Sequence, residues 1–317
     1  MQPSTASRRD FLRTAGVFGT AVFLSGALPG AWLFAQAPTP DAIRARMGGT
    51  AIQTTKLADG VTLFAGPGGN VVVLQSPAGK MVVDGFVKPA WPALKAALDA
   101  LDGSPIKSLI DTHWHFDHAD NNANFRAAGA SVIAHENTGK RLREPHDMAG
   151  LHFDPVPTAE LPTQTFGPGL TLNATVEQVR LTYVAPAHTD TDIFVHFPKA
   201  NVLHMGDVFF NGLYPFIDAS TGGHINGMID GVSAALTLTN ATTKVVPGHG
   251  PLGDVKALRA FGEMMTGVRD KVRALKASGK SLADVQAAKP SAEFDGAWGK
   301  GGMAPDDFVA LVYNTVK

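Results

Sequence analysis

The apolar positions in the first half of the chain predict strands that alternate with helices. Three short apolar runs come first, and turn residues rich in proline and glycine separate them, as is typical of strands joined by tight turns. These runs lie at residues 61–64, 70–75 and 81–84. Apolar residues at helical spacing then predict a helix over 90–102, which Gly103 ends. The remaining predicted elements of this half are a strand at 106–110, a helix at 121–128 and a strand at 131–134.

The second half of the chain repeats this order of strands and then helices. The predicted strands lie at 177–184, 192–197, 201–205 and 244–246, and the predicted helices at 226–239, 254–277 and 305–316. An α/β pattern that runs twice in this order predicts two sheets packed together with helices outside. The 317 residues would allow two domains, but the chain has no short-period repeat and no internal low-complexity tract. We therefore expect one domain.

The first forty residues differ in composition from the rest of the chain. A twin-arginine motif at residues 7–13, which contains Arg8 and Arg9, precedes an uncharged stretch rich in glycine and alanine. This arrangement is typical of a twin-arginine export signal. The stretch also exceeds the roughly 20 residues that a membrane span needs, so an anchor is the alternative, although its glycines and prolines disfavour a permanent helix. A cleavage site of small residues ends at Ala37.

We therefore predict that residues 1–37 are a twin-arginine signal peptide and that residues 38–317 form the mature domain, with a linker rich in proline and glycine before its first strand. The twin-arginine export machinery would be a partner, and the periplasm would be the final location. The cleaved chain would have no stable membrane association.

Charge and cysteine content narrow the chemistry. The formal net charge is -1 and no stretch forms a basic stripe, so a small-molecule substrate is expected and nucleic acid is not. The chain has no cysteine, so a bound metal would depend on nitrogen and oxygen ligands. The same absence suits a protein that folds in the reducing cytoplasm before export.

A cluster of polar residues follows the predicted strand at 106–110. Four potential metal ligands occur within six residues: His113, His115, Asp117 and His118. Histidines two positions apart leave a strand on the same side. Imidazole and carboxylate are the ligands that zinc takes when thiolate is absent. One histidine alone is more often structural, but three with an aspartate at this spacing predict a metal site.

Three further candidates each come just after a later predicted strand. They are His188, Asp207 and His249. Because each follows the carboxyl end of its strand, one edge of the fold could bring all of them to the cluster at 113–118.

Together these residues resemble the metallo-β-lactamase superfamily over about residues 57–252. The resemblance implies a four-layer αβ/βα sandwich with a dinuclear zinc site between its sheets. It implies that the first zinc ion is bound by His113, His115 and His188, the second by Asp117, His118 and His249, and that Asp207 bridges the two. Asp84 matches an aspartate that the family places behind the ligands, where it would fix an imidazole of the 113–118 loop. The alternative is a turn aspartate before Gly85.

The resemblance also implies a mechanism. Two zinc ions would lower the pKa of a shared water from 15.7 to about 7, so that hydroxide forms at neutral pH and attacks a carbonyl carbon. Asp117 would be both a ligand and the catalytic residue that orients the attacking water. Tyr214 and His224 are candidates for a substrate loop, although aromatic residues in such a stretch more often pack beneath the loop.

The substrate stays open at this point, because fold does not determine substrate. An ester, lactone, thioester or β-lactam carbonyl is expected, and the alternatives are a dedicated periplasmic metallo-β-lactamase, a phosphodiesterase or a non-catalytic metal-binding protein. In the family, lactonases and thioesterases carry an aspartate at the position of Asp207, whereas β-lactamases tend to carry cysteine or serine. The resemblance therefore favours ester-type substrates, while export to the periplasm favours β-lactams.

Overall fold

The computed structural model describes residues 39–316, so the twin-arginine motif and the cleavage site lie outside the described residues. A seven-stranded sheet begins with the antiparallel strands β1 (Gln53–Ala58), β2 (Val61–Gly66), β3 (Gly69–Ser76) and β4 (Gly79–Val83). It continues in parallel with β5 (Ile106–Ile110) and β6 (Ser131–His135). Strands β7 (His146–Met148) and β8 (Leu151–Phe153) then form a separate hairpin. After it, β9 (Gln164–Phe166) pairs with β6 and forms the edge of the seven-stranded sheet.

A six-stranded sheet is formed by the second half of the chain. Its strands, in spatial order, are β10 (Gly169–Ala174), β11 (Glu177–Tyr183), β12 (Ile193–Phe197), β13 (Val202–His204), β14 (Lys244–Val246) and β15 (Gly253–Asp254). All neighbouring pairs are antiparallel except β13 and β14, which are parallel. The carboxyl ends of these two strands therefore meet at the same edge of the sheet.

Helices precede, connect and follow the strands. Those of the first half are α1 (Pro40–Gly48), α2 (Trp91–Leu101), α3 (Phe116–Ala119), α4 (Asn122–Ala127) and α5 (Glu136–Arg141). Those of the second half are α6 (Ile225–Thr237), α7 (Val255–Ala277), α8 (Leu282–Ala287), α9 (Ala292–Trp298) and α10 (Pro305–Thr315). Within residues 39–316, no helix combines the length and the apolar composition that crossing a bilayer requires.

Three apolar clusters show that the elements form four layers. Side chains of both sheets, such as Val72 and Val195, form the central cluster. The outer face of the first sheet packs against α2 and α4 through Leu98 and its neighbours. The outer face of the second sheet packs against α6, α7 and α10 around Phe261. The order is helices, sheet, sheet, helices, which confirms the predicted αβ/βα sandwich.

Strand β3 illustrates why the apolar runs are continuous. Successive side chains of a strand point to opposite faces. Val71 and Val73 therefore face the α2 side, while Val72 and Leu74 face the second sheet. Since both faces are buried, all four positions 71–74 are apolar rather than every second one.

The stretch expected to be a linker before the strand predicted at 61–64 instead contains helix α1 and strand β1. Thr39 caps α1 through its side chain, and Pro40 occupies the first turn, where proline is well tolerated. No residue of α1 is fully buried, so the helix has no apolar periodicity to reveal it. Its Arg44 makes a bidentate ion pair with Asp120 at 2.7 and 3.0 Å, which fixes α1 beside the loop that carries the histidine cluster.

Candidate metal centre

All seven predicted ligands lie at one edge of the sandwich. The 113–118 loop leaves β5, His188 follows β11, Asp207 follows β13 and His249 follows β14. Two groups of ligand atoms result, each with its atoms within 4.8 Å of one another. The first group is His113, His115, His188 and Asp207, and the second is Asp117, His118 and His249.

Asp207 lies between the two groups. Its Oδ1 is 3.2 Å from Nε2 of His118, and its Oδ2 is 3.2 Å from Nε2 of His249 and 3.5 Å from Nε2 of His188. Between them, the two carboxylate oxygens of Asp207 are thus close to histidines of both groups. This is the position that a bridging carboxylate requires.

Hydrogen bonds fix the orientation of two imidazoles in the first group. Nδ1 of His188 donates to the carbonyl oxygen of Phe216 at 2.8 Å, and Nε2 of His115 donates to the Asp218 carboxylate at 3.2 Å. If both rings are neutral, the other ring nitrogens, Nε2 of His188 and Nδ1 of His115, carry lone pairs that face each other at 2.9 Å. Two lone pairs at this distance repel unless they share a cation.

Asp84 fixes further imidazoles from behind. Its carboxylate accepts hydrogen bonds from N and Oγ1 of Thr112, at 2.8 and 2.9 Å, and from Nδ1 of His118 at 2.8 Å. The Thr112 hydroxyl, whose proton goes to Asp84, in turn accepts from Nδ1 of His113 at 3.1 Å. When these rings are neutral, Nε2 of each histidine presents a lone pair to the centre. The structure thus contains a hydrogen bond from an imidazole of the 113–118 loop, that of His118, to Asp84.

The chemistry of these donors fits a metal ion. Nε2 of His113, Nε2 of His118 and Oδ1 of Asp207 are buried and make no well-aligned hydrogen bond within the described part of the chain, although the last two atoms lie 3.2 Å apart. A buried polar atom without a partner is costly, yet here three such atoms converge. Imidazole nitrogen with carboxylate oxygen is a set suited to zinc.

The pKa shifts of the candidate ligands also indicate a site suited to a cation. Burial lowers the pKa of His188 to about 4. Burial also lowers the pKa of His249, but the Asp207 and Asp117 carboxylates outweigh it and raise that pKa to about 10. The pKa of His118 is likewise raised well above its usual range, chiefly by Asp207 once burial is overcome. These carboxylates favour positive charge beside them, which a divalent ion would supply.

Two supporting aspartates were not predicted. Asp218 holds His115 and also accepts hydrogen bonds from the hydroxyls of Ser220 and Thr221 at 2.5 and 2.7 Å. Asp192 accepts from the backbone N–H of His188 at 2.8 Å and so shapes the loop that carries this ligand. Neither residue lies in a recognisable ligand spacing, so the sequence offered no signal for them.

The two residues proposed for a substrate loop, Tyr214 and His224, pack in the core and cap a helix, respectively. Tyr214 is 2% exposed, and its hydroxyl donates to the Asp295 carboxylate at 2.7 Å. It is therefore part of the core and does not line the centre, so that prediction was wrong. His224 caps α6, with its Nδ1 accepting from the N–H of Gly227 at 2.9 Å, and its own N–H donates to the carbonyl of Ala187.

The accessible side of the centre lies at the second group. The side chains of His249 and Asp117 are 22% and 12% exposed, more than that of Asp207 at 5%. Phe210 stacks on the ring of His249 at 5.1 Å. The turn between β2 and β3 approaches Asp117 so closely that a Cβ on Gly68 would lie 2.9 Å from the Asp117 Cβ, and this glycine has a φ of 105°.

Comparisons with solved structures show the same fold. A metallo-beta-lactamase from Pontibacter korlensis superposes with a TM-score of 0.58 at 18% sequence identity and covers 68% of this chain and 99% of its own. The DIM-1 metallo-beta-lactamase superposes with a TM-score of 0.54 at 20% identity, covering 68% of this chain and 97% of its own. At these identities the likeness concerns the fold alone.

A curated relative and a family model match the sequence. The relative is 2,4-dinitroanisole O-demethylase subunit alpha of Nocardioides sp. (strain JS1661), 25% identical over 146 residues. The match covers 44% of this chain and 41% of that protein, so the chain spans less than half the length of this relative. The model of the metallo-beta-lactamase superfamily matches residues 65–249, more than half of the chain, with all seven candidate ligands inside it. The chain therefore belongs to the metallo-beta-lactamase superfamily.

Proposed function

We propose that this protein is a dinuclear zinc hydrolase that cleaves an ester, lactone or thioester. The observation that carries the proposal is that imidazole nitrogens of both ligand groups converge on the Asp207 carboxylate. Hydrogen bonds to Asp84, Asp218 and the Phe216 carbonyl fix the orientation of these imidazoles. Two zinc ions held there would supply a water of lowered pKa and positive charge for a carbonyl oxygen.

Asp117 is suited to orient the attacking water. Its carboxylate has one oxygen 3.4 Å from Nε2 of His249 and keeps 12% of its side chain exposed on the accessible side. A carboxylate in this position accepts a hydrogen bond from water and directs the oxygen lone pair at the substrate. His249 bounds the same opening and would stay within reach of the departing group.

Asp207 favours ester-type substrates over lactams. A carboxylate between the two groups adds negative charge there and weakens the Lewis acidity of cations on either side. An alkoxide or a thiolate leaves with less electrophilic assistance than a lactam nitrogen. We therefore expect β-lactam hydrolysis to be present but weaker, and a dedicated β-lactamase is the rival function.

The substrate preference is tested by comparing kcat/KM for an aryl ester, a lactone, a thioester and a cephalosporin on the same zinc-loaded preparation. We expect the best ester-type substrate to exceed the cephalosporin by about tenfold or more, which is about 1.4 kcal/mol of transition-state preference. A cephalosporin value higher than all three by that factor would establish the rival function. 2,4-Dinitroanisole belongs in the same panel, because the curated relative is named as a subunit of its demethylase.

We further propose that residues 1–37 export the folded chain to the periplasm. The proposal is supported by the pair Arg8 and Arg9 before an uncharged stretch and by the lack of cysteine. Replacing both arginines with lysine should leave the protein in the cytoplasm with its activity in the lysate intact. The matched control is Arg13→Lys, which keeps the pair and should be exported normally. Normal periplasmic recovery of the double variant would show that the assignment is wrong.

A further inference from the structure

A cavity of about 400 Å³ lies against the loop that carries the histidine cluster. Trp114 and Phe116, which alternate with the ligands along the 113–118 loop, line one wall. The rest of the lining comes largely from α1, from the β7–β8 hairpin with Phe153, and from residues 154–157. No role in the metal centre accounts for this cavity or for the aromatic side chains at these two alternate positions.

Trp114, which lines the cavity, has a hydrogen-bond donor without a partner. The residue is 5% exposed, and its buried Nε1–H has no acceptor within the described residues. A buried donor without an acceptor is destabilising, and a ligand that supplies a suitable acceptor would offset this cost. The indole also contacts the ring of His146 at 4.7 Å and that of His115 at 4.9 Å, so its position is fixed on both sides.

Aromatic surfaces dominate the apolar part of the wall. Phe116 and Phe153 are stacked, with ring centroids 5.6 Å apart. The guanidinium of Arg44 lies 5.1 Å from the centroid of Phe116. Together with Trp114 these side chains offer planar faces on which another ring can stack.

The cations of the wall are already engaged by carboxylates. Arg44 is paired with Asp120, as described above. Lys88 is 2.5 Å from Glu160. Arg141 makes a bidentate pair with Asp190 at 3.0 and 2.7 Å. An anionic ligand would have to break one of these pairs and would also face Glu144 and Asp154, which line the same cavity. The charge distribution therefore disfavours an anion.

We infer that this cavity binds an uncharged aromatic group that carries a hydrogen-bond acceptor, with the acceptor taking the Trp114 Nε1–H and the ring packing against the Phe116–Phe153 pair. Neither contact involves the seven candidate ligands. Binding therefore occurs whether or not the centre holds metal, and its failure is distinct from a failure of the proposed hydrolysis.

Three small molecules isolate the features of the inferred ligand. Benzamide has both the ring and an uncharged acceptor, benzoate replaces the amide with an anion, and cyclohexanecarboxamide lacks the aromatic ring. Each is titrated into the zinc-loaded full chain labelled with ¹⁵N at tryptophan. The indole N–H signal of Trp114, identified by its loss in Trp114→Phe, should shift downfield with benzamide and saturate. The signal of Trp298, which packs on Phe261 away from the cavity, should not move.

Variants at two positions separate binding from folding. Benzamide affinity should fall by about tenfold in Trp114→Phe, which removes the donor and keeps a ring, since a net hydrogen bond is worth up to about 1.5 kcal/mol. Phe153→Ala, on the partly exposed β7–β8 hairpin, should reduce it by a similar factor, and Trp298→Phe should leave it unchanged. The inference is overturned if benzoate or cyclohexanecarboxamide binds as tightly as benzamide, if the Trp114 signal shows no saturable shift, or if Phe153→Ala binds benzamide normally.

Discussion

Asp207→Ala should release metal from both groups and lower kcat/KM by about 10³-fold or more. Its carboxylate lies within 3.5 Å of histidines in both groups. Without this carboxylate the two sets of imidazoles lack a shared anion to hold the metal ions. The water that those ions would activate lowers the free-energy barrier by several kcal/mol. Metal content by elemental analysis and hydrolysis of the best substrate are measured on the same sample.

Two further variants distinguish the contributions of the two ligand groups. His188→Ala should empty mainly the first group and His249→Ala mainly the second, so each should retain about half of the bound metal. The matched control is Asp230→Ala, at an exposed position of α6, which should match the unmodified chain in both measurements. Full metal content in Asp207→Ala, with folding verified by circular dichroism, would contradict the bridging position.

Asp218→Asn should weaken metal binding at the first group by about 10- to 100-fold, the effect typical of losing a carboxylate behind a histidine ligand. Asp218 is 1% exposed. Burial would raise its pKa, but the His115 imidazole and the neighbouring hydroxyls hold that pKa below its usual range. The ionised carboxylate therefore keeps the proton of His115 on Nε2 and its lone pair on Nδ1. An asparagine still accepts a hydrogen bond but supplies no charge to hold that proton.

This effect is measured by titrating the metal-free chain with zinc against a chromophoric chelator. Asp295→Asn is the matched control, because that carboxylate also accepts a hydrogen bond, from Tyr214 at 2.7 Å, but lies outside the centre. The control should leave both zinc affinities unchanged. Unaltered affinity in Asp218→Asn would mean that Asp218 only shapes its own turn with Ser220 and Thr221.

The strands and helices with strong apolar patterns could be predicted because burial sets those patterns. Strands β5 and β14 have the predicted bounds, 106–110 and 244–246, and the long helix α7 begins within one residue of its predicted start at 254. A strand buried on both faces is a continuous apolar run, and a helix with one buried face has apolar residues at helical spacing, so both can be recognised from the local sequence. The candidate ligands followed because each is a polar residue directly after such a run.

Contacts between distant segments could not be predicted in this way. Asp218 meets His115 across 103 positions, and Arg44 meets Asp120 across 76, so no local pattern marks either pair. Strand β10 has an alternating pattern of exposed and half-buried positions at the sheet edge, which gives little apolar signal. Tyr214 was misplaced because an aromatic residue after a metal ligand has the same sequence pattern whether it faces the centre or the core.

The most direct test is the metal content and activity of the unmodified chain, purified without added metal or chelator. Elemental analysis should find about two zinc ions per chain, and removing them with a chelator should abolish hydrolysis, which added zinc restores. Less than one equivalent of zinc or any other divalent metal in a preparation with full hydrolytic activity would contradict a dinuclear centre at His113, His115, Asp117, His118, His188, Asp207 and His249.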